Sequence, residues 1–431
     1  MPFEHSGRPP RRIAVIGGGI SGMAAAHLLS ETDSVVLIEA ERRLGGHART
    51  VIAGRRGDQP VDTGFIVFNR VNYPGLSRLF DRLGVPVANS DMSFGVSIDG
   101  GRIEYGLASL ATIFIQPRNL LRPQFLTMLR DILRFNRLAP ELCGEPGLTI
   151  GGLVERTGGG AWFRDYYLTP LSGAIWSTPT RGILDFPART MIEFLKNHAL
   201  LDYSQKHQWL TVRGGSAEYV GRLERQLRSA GVEIRTGAPV EGVRRGGGGV
   251  EVRVSGGAWE RFDDVVLATH SDDSLRLLAD ATPAERGALA AIRYQPNRAI
   301  LHADPSVMPK RRGAWSSWVY TEEQGPRPDA ISLTYWMNSL QPIPADDPHF
   351  VTLNPVRPIR DELVYDEVTF RHPVYDLAAV AAQARLRAMN GQSGIWFCGA
   401  WMRNGFHEDG FASAADVVGE MARIGERRLA A

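Results

Sequence analysis

The chain has 431 residues, 43% of them hydrophobic and 22% charged, with a formal net charge of +2. This ordinary globular composition excludes a disordered, collagen-like or coiled-coil chain, and near-neutral charge argues against a nucleic-acid binder. Two cysteines, Cys143 and Cys398, are too few for a disulfide framework or a metal cluster, and no run of about 18 apolar residues marks a membrane-spanning helix.

Arg12-Ile13-Ala14-Val15-Ile16 is a short β-branched run, the pattern of a buried parallel strand. Arg11-Arg12 ahead of it has the look of a twin-arginine leader, but the stretch to Leu29 reads better as strand, glycine turn and helix. Gly17-Gly18-Gly19-Ile20-Ser21-Gly22 supplies that turn. Gly17 permits a tight bend, Gly19 lets backbone approach a pyrophosphate, and Gly22 lets helix and strand pack closely. The helix N-terminus at Ile20 and Ser21 offers free N–H groups to the anion. A second strand, Ser34-Val35-Val36-Leu37-Ile38, ends in Glu39, seventeen residues beyond Gly22. A carboxylate there can accept both hydroxyls of an adenosine ribose.

After Ala40 comes Glu41-Arg42-Arg43-Leu44-Gly45-Gly46-His47-Ala48-Arg49-Thr50. It resembles the Arg-x-Gly-Gly-Arg-x-x-Ser/Thr element of FAD enzymes in the amine oxidase and phytoene desaturase superfamily. The paired glycines Gly45 and Gly46 let main-chain N–H groups meet phosphate, and Arg43 adds charge. His47 stands where the second arginine is usual, packing beside the cofactor or, as the alternative, linked to it covalently. Asp62-Thr63-Gly64-Phe65 resembles the segment that approaches the flavin ring, which implies cofactor contacts at Gly64, Phe65 and Ile66.

The resemblance continues in later segments. Gly231 to Val240 looks like the strand that holds the adenine, with Val240 at the contact position, and Phe262 to Thr269 like a strand returning to the sheet. Gly394 to Ala400 is another buried strand, with Cys398 a small apolar residue inside it. The loop Gly405-Phe406-His407-Glu408-Asp409-Gly410-Phe411 then opens a helix over Ala412–Ile424. The resemblance implies cofactor contacts at Gly399, Asp409, Gly410 and Phe411, with a helix dipole stabilising the reduced flavin.

The expected fold class is α/β, α+β overall. A Rossmann-like FAD-binding domain of the amine oxidase/glutathione reductase type takes 10–75, 205–275 and 390–431, and a discontinuous mixed α+β substrate domain takes 76–204 and 276–389. Gly246 to Gly249 reads as a hairpin tip. Residues 110–138 interleave Leu, Ile, Phe and Met with Arg118, Arg122, Arg130, Arg134 and Arg137. This basic amphipathic helix suits either peripheral contact with an anionic membrane or an ordinary solvated face over a core. Aromatic residues gather in both excursions, and Tyr166, Trp176, Trp318, Tyr335 and Trp336 are the candidate walls of an apolar substrate channel.

Flavin carries the hard chemistry in such a protein, through hydride removal at N5. His198, His207, His302, His372 and His407 are scattered without ligand spacing, so no metal site is expected. Many amine oxidases of the superfamily hold a lysine near the flavin. Here the matching stretch, Tyr294 to Ala303, has none, and only three of the 49 basic residues are lysine at all, Lys196, Lys206 and Lys310. Pro296-Asn297-Arg298-Ala299-Ile300-Leu301-His302, Ala314-Trp315-Ser316-Ser317-Trp318 and Tyr335-Trp336-Met337-Asn338 resemble a bacterial group of NAD(P)/FAD-binding oxidoreductases. That group is associated with cyclopropane-fatty-acid-synthase-type methyltransferases.

The resemblance implies an FAD-dependent enzyme, cytoplasmic or peripheral to the inner membrane, with a small-molecule or lipid substrate. The leading reading is hydride abstraction from an unsaturated fatty acyl chain, giving desaturation or isomerisation. The alternatives are an amine or polyamine oxidase, or a non-catalytic flavin-bearing partner of a lipid methyltransferase. His407 and Glu408 are the candidate catalytic side chains.

Overall fold

The computed structural model describes residues 10–201, 207–325 and 330–430. Five parallel strands form one sheet in the order Glu233–Arg235, Ser34–Ile38, Arg12–Ile16, Asp264–Leu267, Ile395–Phe397. The inner strands are continuous apolar runs because both faces of the sheet are covered. On one face, helices Ile20–Leu29, Pro74–Leu83, Ala217–Ser229 and His407–Ala430 pack against Val15, Leu37 and Val266. On the other, Ala14, Val36 and Val265 meet the antiparallel sheet Val240–Gly246, Gly249–Val254, Trp259–Phe262 and the helices Ser271–Leu277, Pro283–Ala290 and Leu377–Met389. The hairpin turns at Gly247 and Gly248, both at positive φ (50° and 87°), with Gly246 paired to Gly249.

The second unit is a seven-stranded mixed sheet in the order Val364–Val374, Arg293–His302, Phe350–Leu353, Leu333–Trp336, Trp318–Thr321, Phe94–Ile98, Ile103–Gly106. Helices Pro123–Leu142, Ile150–Arg156, Thr169–Trp176 and Ala188–Asn197 share its core through residues such as Phe135, Leu153, Ala174 and Ile192.

Packing moves the expected domain boundaries. Leu76, Leu79 and Phe80 belong to the first unit's core, so that piece runs past residue 75 to the end of Pro74–Leu83, where Gly84 stops the helix in a left-handed conformation. Leu277, Leu289 and Ile292 likewise pack on the parallel sheet, as do Ala382 and Leu386. The middle piece therefore reaches Ile292 and the last begins at Leu377. Nor is 110–138 one helix. It is a short helix Leu110–Ile113, a turn Pro117–Leu121 and the helix Pro123–Leu142. Pro117 and Pro123 explain the breaks, because each disfavours helical geometry in the residue before it and opens the first turn of its own element. The C-terminal helix starts at His407, five residues ahead of the expected Ala412, because Asp409 Oδ2 accepts the Phe406 N–H at 2.9 Å.

Candidate active site

Where the parallel strands end against the second sheet lies a cavity of about 990 Å³, at the upper end of the range for small-molecule and cofactor sites. Of the expected cofactor residues, Gly17, Gly19, Ile20, Ser21, Glu39, Ala40, Arg43, Gly45, Gly46, His47, Gly64, Phe65, Ile66, Val240 and Gly399 line it. Gly22, Asp409, Gly410 and Phe411 do not; they build its support. A Cβ on Gly22 would lie 1.8 Å from the Gly17 carbonyl oxygen, and one on Gly410 would lie 2.8 Å from Ile20 and Ser21. Both glycines therefore let helices approach the turn, and Phe411 packs across Gly75 behind them.

Glu39, at the end of the second strand, closes the turn by accepting the backbone N–H groups of Gly18 and Glu41. Arg43 donates to the carbonyls of Gly46 and Ala48, at 3.0 and 3.2 Å, which shapes the loop that presents Gly45 and Gly46. Asp62 is buried and points away from the cavity, accepting from Thr50, Ser216 and Gln341.

Four imidazoles gather along the middle of the cavity: His47, His270, His372 and His407. His47 meets Phe370 edge-on at 4.8 Å and lies 5.6 Å from His372, ring centre to ring centre. Burial lowers His47, His372 and His407 to about 3 and His270 to about 4, so all four are neutral at physiological pH. Their remaining contact with water is with the cavity itself. Asn297 sets the tautomer of His372. Its Nδ2 donates to the Ser177 carbonyl at 3.0 Å and its Oδ1 accepts from Asn354 at 2.7 Å, which fixes the amide's orientation. The same Nδ2 donates to His372 Nδ1 at 3.0 Å, leaving the ring's proton on Nε2. His407 stacks on Phe65 at 3.9 Å and shares a hydrogen bond with Tyr219.

The sequence reading missed His270 and His372. The signals were present: His270 comes just after the end of a parallel strand, and Val368, Phe370 and His372 alternate along Val364–Val374.

The outer arm is aromatic. Trp176 packs on Phe194 at 4.8 Å, Phe194 stacks on Phe406 at 4.6 Å, and Trp318 meets Tyr335 edge-on at 5.3 Å. Trp176, Trp318 and Tyr335 thus line the cavity as expected of substrate walls, whereas Tyr166 and Trp336 do not. Trp336 is next to Tyr335 on one strand, so it points to the sheet's other face, where it packs against Trp315. Tyr166 packs on Trp162 at the edge of the helical core.

The chain matches the flavin containing amine oxidoreductase family over residues 20–351. It belongs to that family. It is accordingly an FAD-dependent oxidoreductase. Its fold is similar to that of cyclohexylamine oxidase from Brevibacterium oxydans, at a TM-score of 0.69 and 16% identity over 96% of this chain and 100% of that one. The CLA-producing fatty acid isomerase from P. acnes is similar at a TM-score of 0.68 and 14% identity, over 95% and 98%. A putrescine oxidase bound to putrescine is similar at 0.66 and 15%, over 96% and 99%. No curated protein matches the sequence.

The residues present fit FAD. No atom lies within 4 Å of where a Cβ on Gly19 would stand, so the main chain faces open space there. The helix that begins at Ile20 has neither a side-chain cap nor an acid in its first turn, and its N–H groups suit a pyrophosphate. His270 Nδ1, Trp318 Nε1 and Tyr375 OH are buried without a hydrogen-bond partner, and all three residues line the cavity. His270 also approaches Asp272 and Asp273, the three ligand atoms lying within 4.8 Å of one another. Both carboxylates are bonded to the Arg371 guanidinium, which already neutralises the cluster.

Glu408 is a correction. Its carboxylate accepts the N–H groups of Gly75 and Leu76, both at 2.8 Å, so it caps the helix Pro74–Leu83 and does not line the cavity. Its side chain lies on the support face because His407, one position earlier in the helix, takes the cavity face. Glu408→Gln is expected to keep turnover within about twofold while destabilising the fold by about 1 kcal/mol, read as a lower melting temperature. A hundredfold loss of turnover with unchanged stability would return Glu408 to the chemistry.

Proposed function

We propose that this oxidoreductase removes a hydride from the carbon beside a double bond in an unsaturated fatty acyl chain, leading to desaturation or double-bond isomerisation. One observation carries this reading. The outer arm is walled by Trp176, Phe194, Trp318, Tyr335 and Phe406, and no lysine among the described residues lines the cavity. The carboxylates that do line it are Glu39 and Glu41 at the adenosine end and Asp273, which is paired with Arg276 and Arg371. A charged amine would be desolvated in that arm without a counterion, whereas an acyl chain loses nothing there. The fatty acid isomerase and the two amine oxidases share the fold, so the fold does not choose between them; the character of the arm supports the acyl chain.

FAD supplies the hydride acceptor when bound. The chain's own residues order the substrate between aromatic faces and exclude water from the reacting carbon. Desaturation also requires a proton to leave the neighbouring carbon, and His270 Nδ1, neutral and without a protein partner, can take it. In isomerisation the hydride returns to the chain at another carbon and no proton need leave.

The test is anaerobic mixing of the FAD-loaded enzyme with a panel of unsaturated free fatty acids and phospholipids. Desaturation is expected to bleach the oxidised-flavin band. Isomerisation is expected to shift the double bond while the band persists. If no lipid does either, and amines instead yield peroxide in air, the enzyme is an amine oxidase.

A further inference from the structure

Ten large hydrophobic side chains stand exposed among the described residues, and six of them fall within one stretch: Leu110, Leu120, Leu121, Leu126, Leu133 and Leu142. Leu121 is the most exposed of the ten, at 85%. The helix Pro123–Leu142 already has a complete buried face, made by Phe125, Met128, Ile132, Phe135 and Ala139. Its leucines at 126 and 133 are therefore a second apolar set, turned outward. With Arg130 and Arg137 they recur at spacings of four, three and four, which puts all four exposed side chains on one stripe. At the helix's N-terminal end the turn Pro117–Leu121 presents Leu120 and Leu121 beside Arg118 and Arg122. Both guanidinium groups converge on the carbonyl of Arg102.

The charge on this surface is one-sided. Arg118, Arg122 and Arg137 make no ion pair among the described residues, although arginines elsewhere in the chain commonly do. Asp131 is buried beneath the stripe and held by Arg134 at 3.0 Å, with the exposed Arg130 further off at 3.7 Å. Glu141, at the helix's far end, is the one exposed acid between 110 and 142. The centre of a protein–protein interface is depleted in charge. Leucine alternating with exposed arginine, most of it unpaired, instead matches the headgroup boundary of a bilayer, where leucine enters the acyl region and arginine extends its charge to phosphate.

We propose that the 110–142 surface docks the enzyme on an anionic phospholipid bilayer. Leu120, Leu121, Leu126 and Leu133 insert, while Arg118, Arg122, Arg130 and Arg137 meet the lipid phosphates. The attachment is peripheral, since no helix among the described residues is long and apolar enough to cross a membrane. It stands on exposure and charge alone and holds whatever the substrate is.

The experiment is co-sedimentation of the FAD-loaded enzyme with vesicles of phosphatidylcholine, or of phosphatidylcholine mixed equally with phosphatidylglycerol. Binding is expected to the anionic vesicles, at least tenfold weaker to the neutral ones, and reduced by salt. The double variant Leu120→Asp/Leu121→Asp should weaken it at least tenfold, and Arg118→Gln/Arg122→Gln by about fivefold for each charge removed. Ile52→Asp, which changes an exposed apolar residue on the strand Thr50–Ala53, should leave binding intact. Flavin absorbance and melting temperature, unchanged in every variant, would show that each is folded. No binding of the unaltered enzyme to anionic vesicles, or equal binding by Leu120→Asp/Leu121→Asp, overturns the proposal. So does an oligomer of the unaltered enzyme in gel filtration that the leucine variant dissolves without any change in vesicle binding, because the surface would then join protein to protein.

Discussion

Replacing Gly19 with valine is expected to abolish FAD binding and leave the apoprotein folded. Gly19 sits at φ −72° and ψ −177°, extended backbone that any L-residue adopts, and nothing lies within 4 Å of its would-be Cβ. The new Cβ therefore meets nothing in the protein, and the side chain fills the open space before the helix N-terminus, where a dinucleotide's pyrophosphate would approach. Losing two charge-assisted contacts from backbone N–H groups costs about 4 kcal/mol, about a thousandfold in affinity. Gly22→Ala should behave in the opposite way. Its new methyl group would stand 1.8 Å from the Gly17 carbonyl oxygen, so the turn itself must move and the apoprotein loses stability. Flavin titration and thermal melts of the two variants separate the roles. A Gly19→Val protein that purifies yellow would show that the cofactor does not pass there.

Acid is expected to unfold the enzyme cooperatively between about pH 6 and pH 5, above the range in which ordinary exposed carboxylates titrate. Burial lowers His47, His372 and His407 to about 3 and His198, His270 and His302 to about 4, against 6.5 for a free imidazole. Each ring is neutral in the fold and takes up its proton more readily once the chain opens. The stability this gives is complete above about pH 6.5 and is lost as pH falls toward the folded values. At pH 5.5 each ring costs about 1.4 kcal/mol, and six cost about 8 kcal/mol, comparable with the whole stability of a typical fold. Two buried carboxyls act with the opposite sign. Asp62 and Asp409 are raised to about 6, chiefly by burial, so their protonation favours the fold as pH drops below that value. At pH 5.5 the pair returns only about 1.7 kcal/mol, so the imidazoles decide. Circular dichroism and flavin release measured against pH check this. A native spectrum retained at about pH 4.5 would mean that the rings ionise in place.

The cofactor half was legible in the sequence because its signals are local. Gly17 to Gly22, Glu39 and the Gly45-Gly46 pair each answer a backbone or charge requirement met within a few residues, and Gly17, Gly19, Glu39, Gly45 and Gly46 line the cavity. What stayed hidden depends on contacts distant in the chain. Glu408 looked chemical because it is an acid in the right loop, but its partners are Gly75 and Leu76, more than 300 positions earlier. Trp336 and Tyr335 were read together because they are adjacent, and strand alternation places them on opposite faces. The stretch where a lysine was sought, Tyr294 to Ala303, contains Asn297, whose amide orients His372 from a neighbouring strand. The arginine bias also gained a location. Over 110–142 the prolines break one expected helix into three pieces, and the arginines lie among leucines that the core leaves outside.

The most direct test of acyl-chain chemistry is a substrate carrying deuterium at the carbon beside its double bond, incubated anaerobically with the FAD-loaded enzyme and analysed by mass spectrometry. The expected result is deuterium lost from that carbon or moved along the chain, with a primary isotope effect on the rate. Recovery of the chain with every deuterium in place, by an enzyme that deaminates an amine under the same conditions, would contradict it.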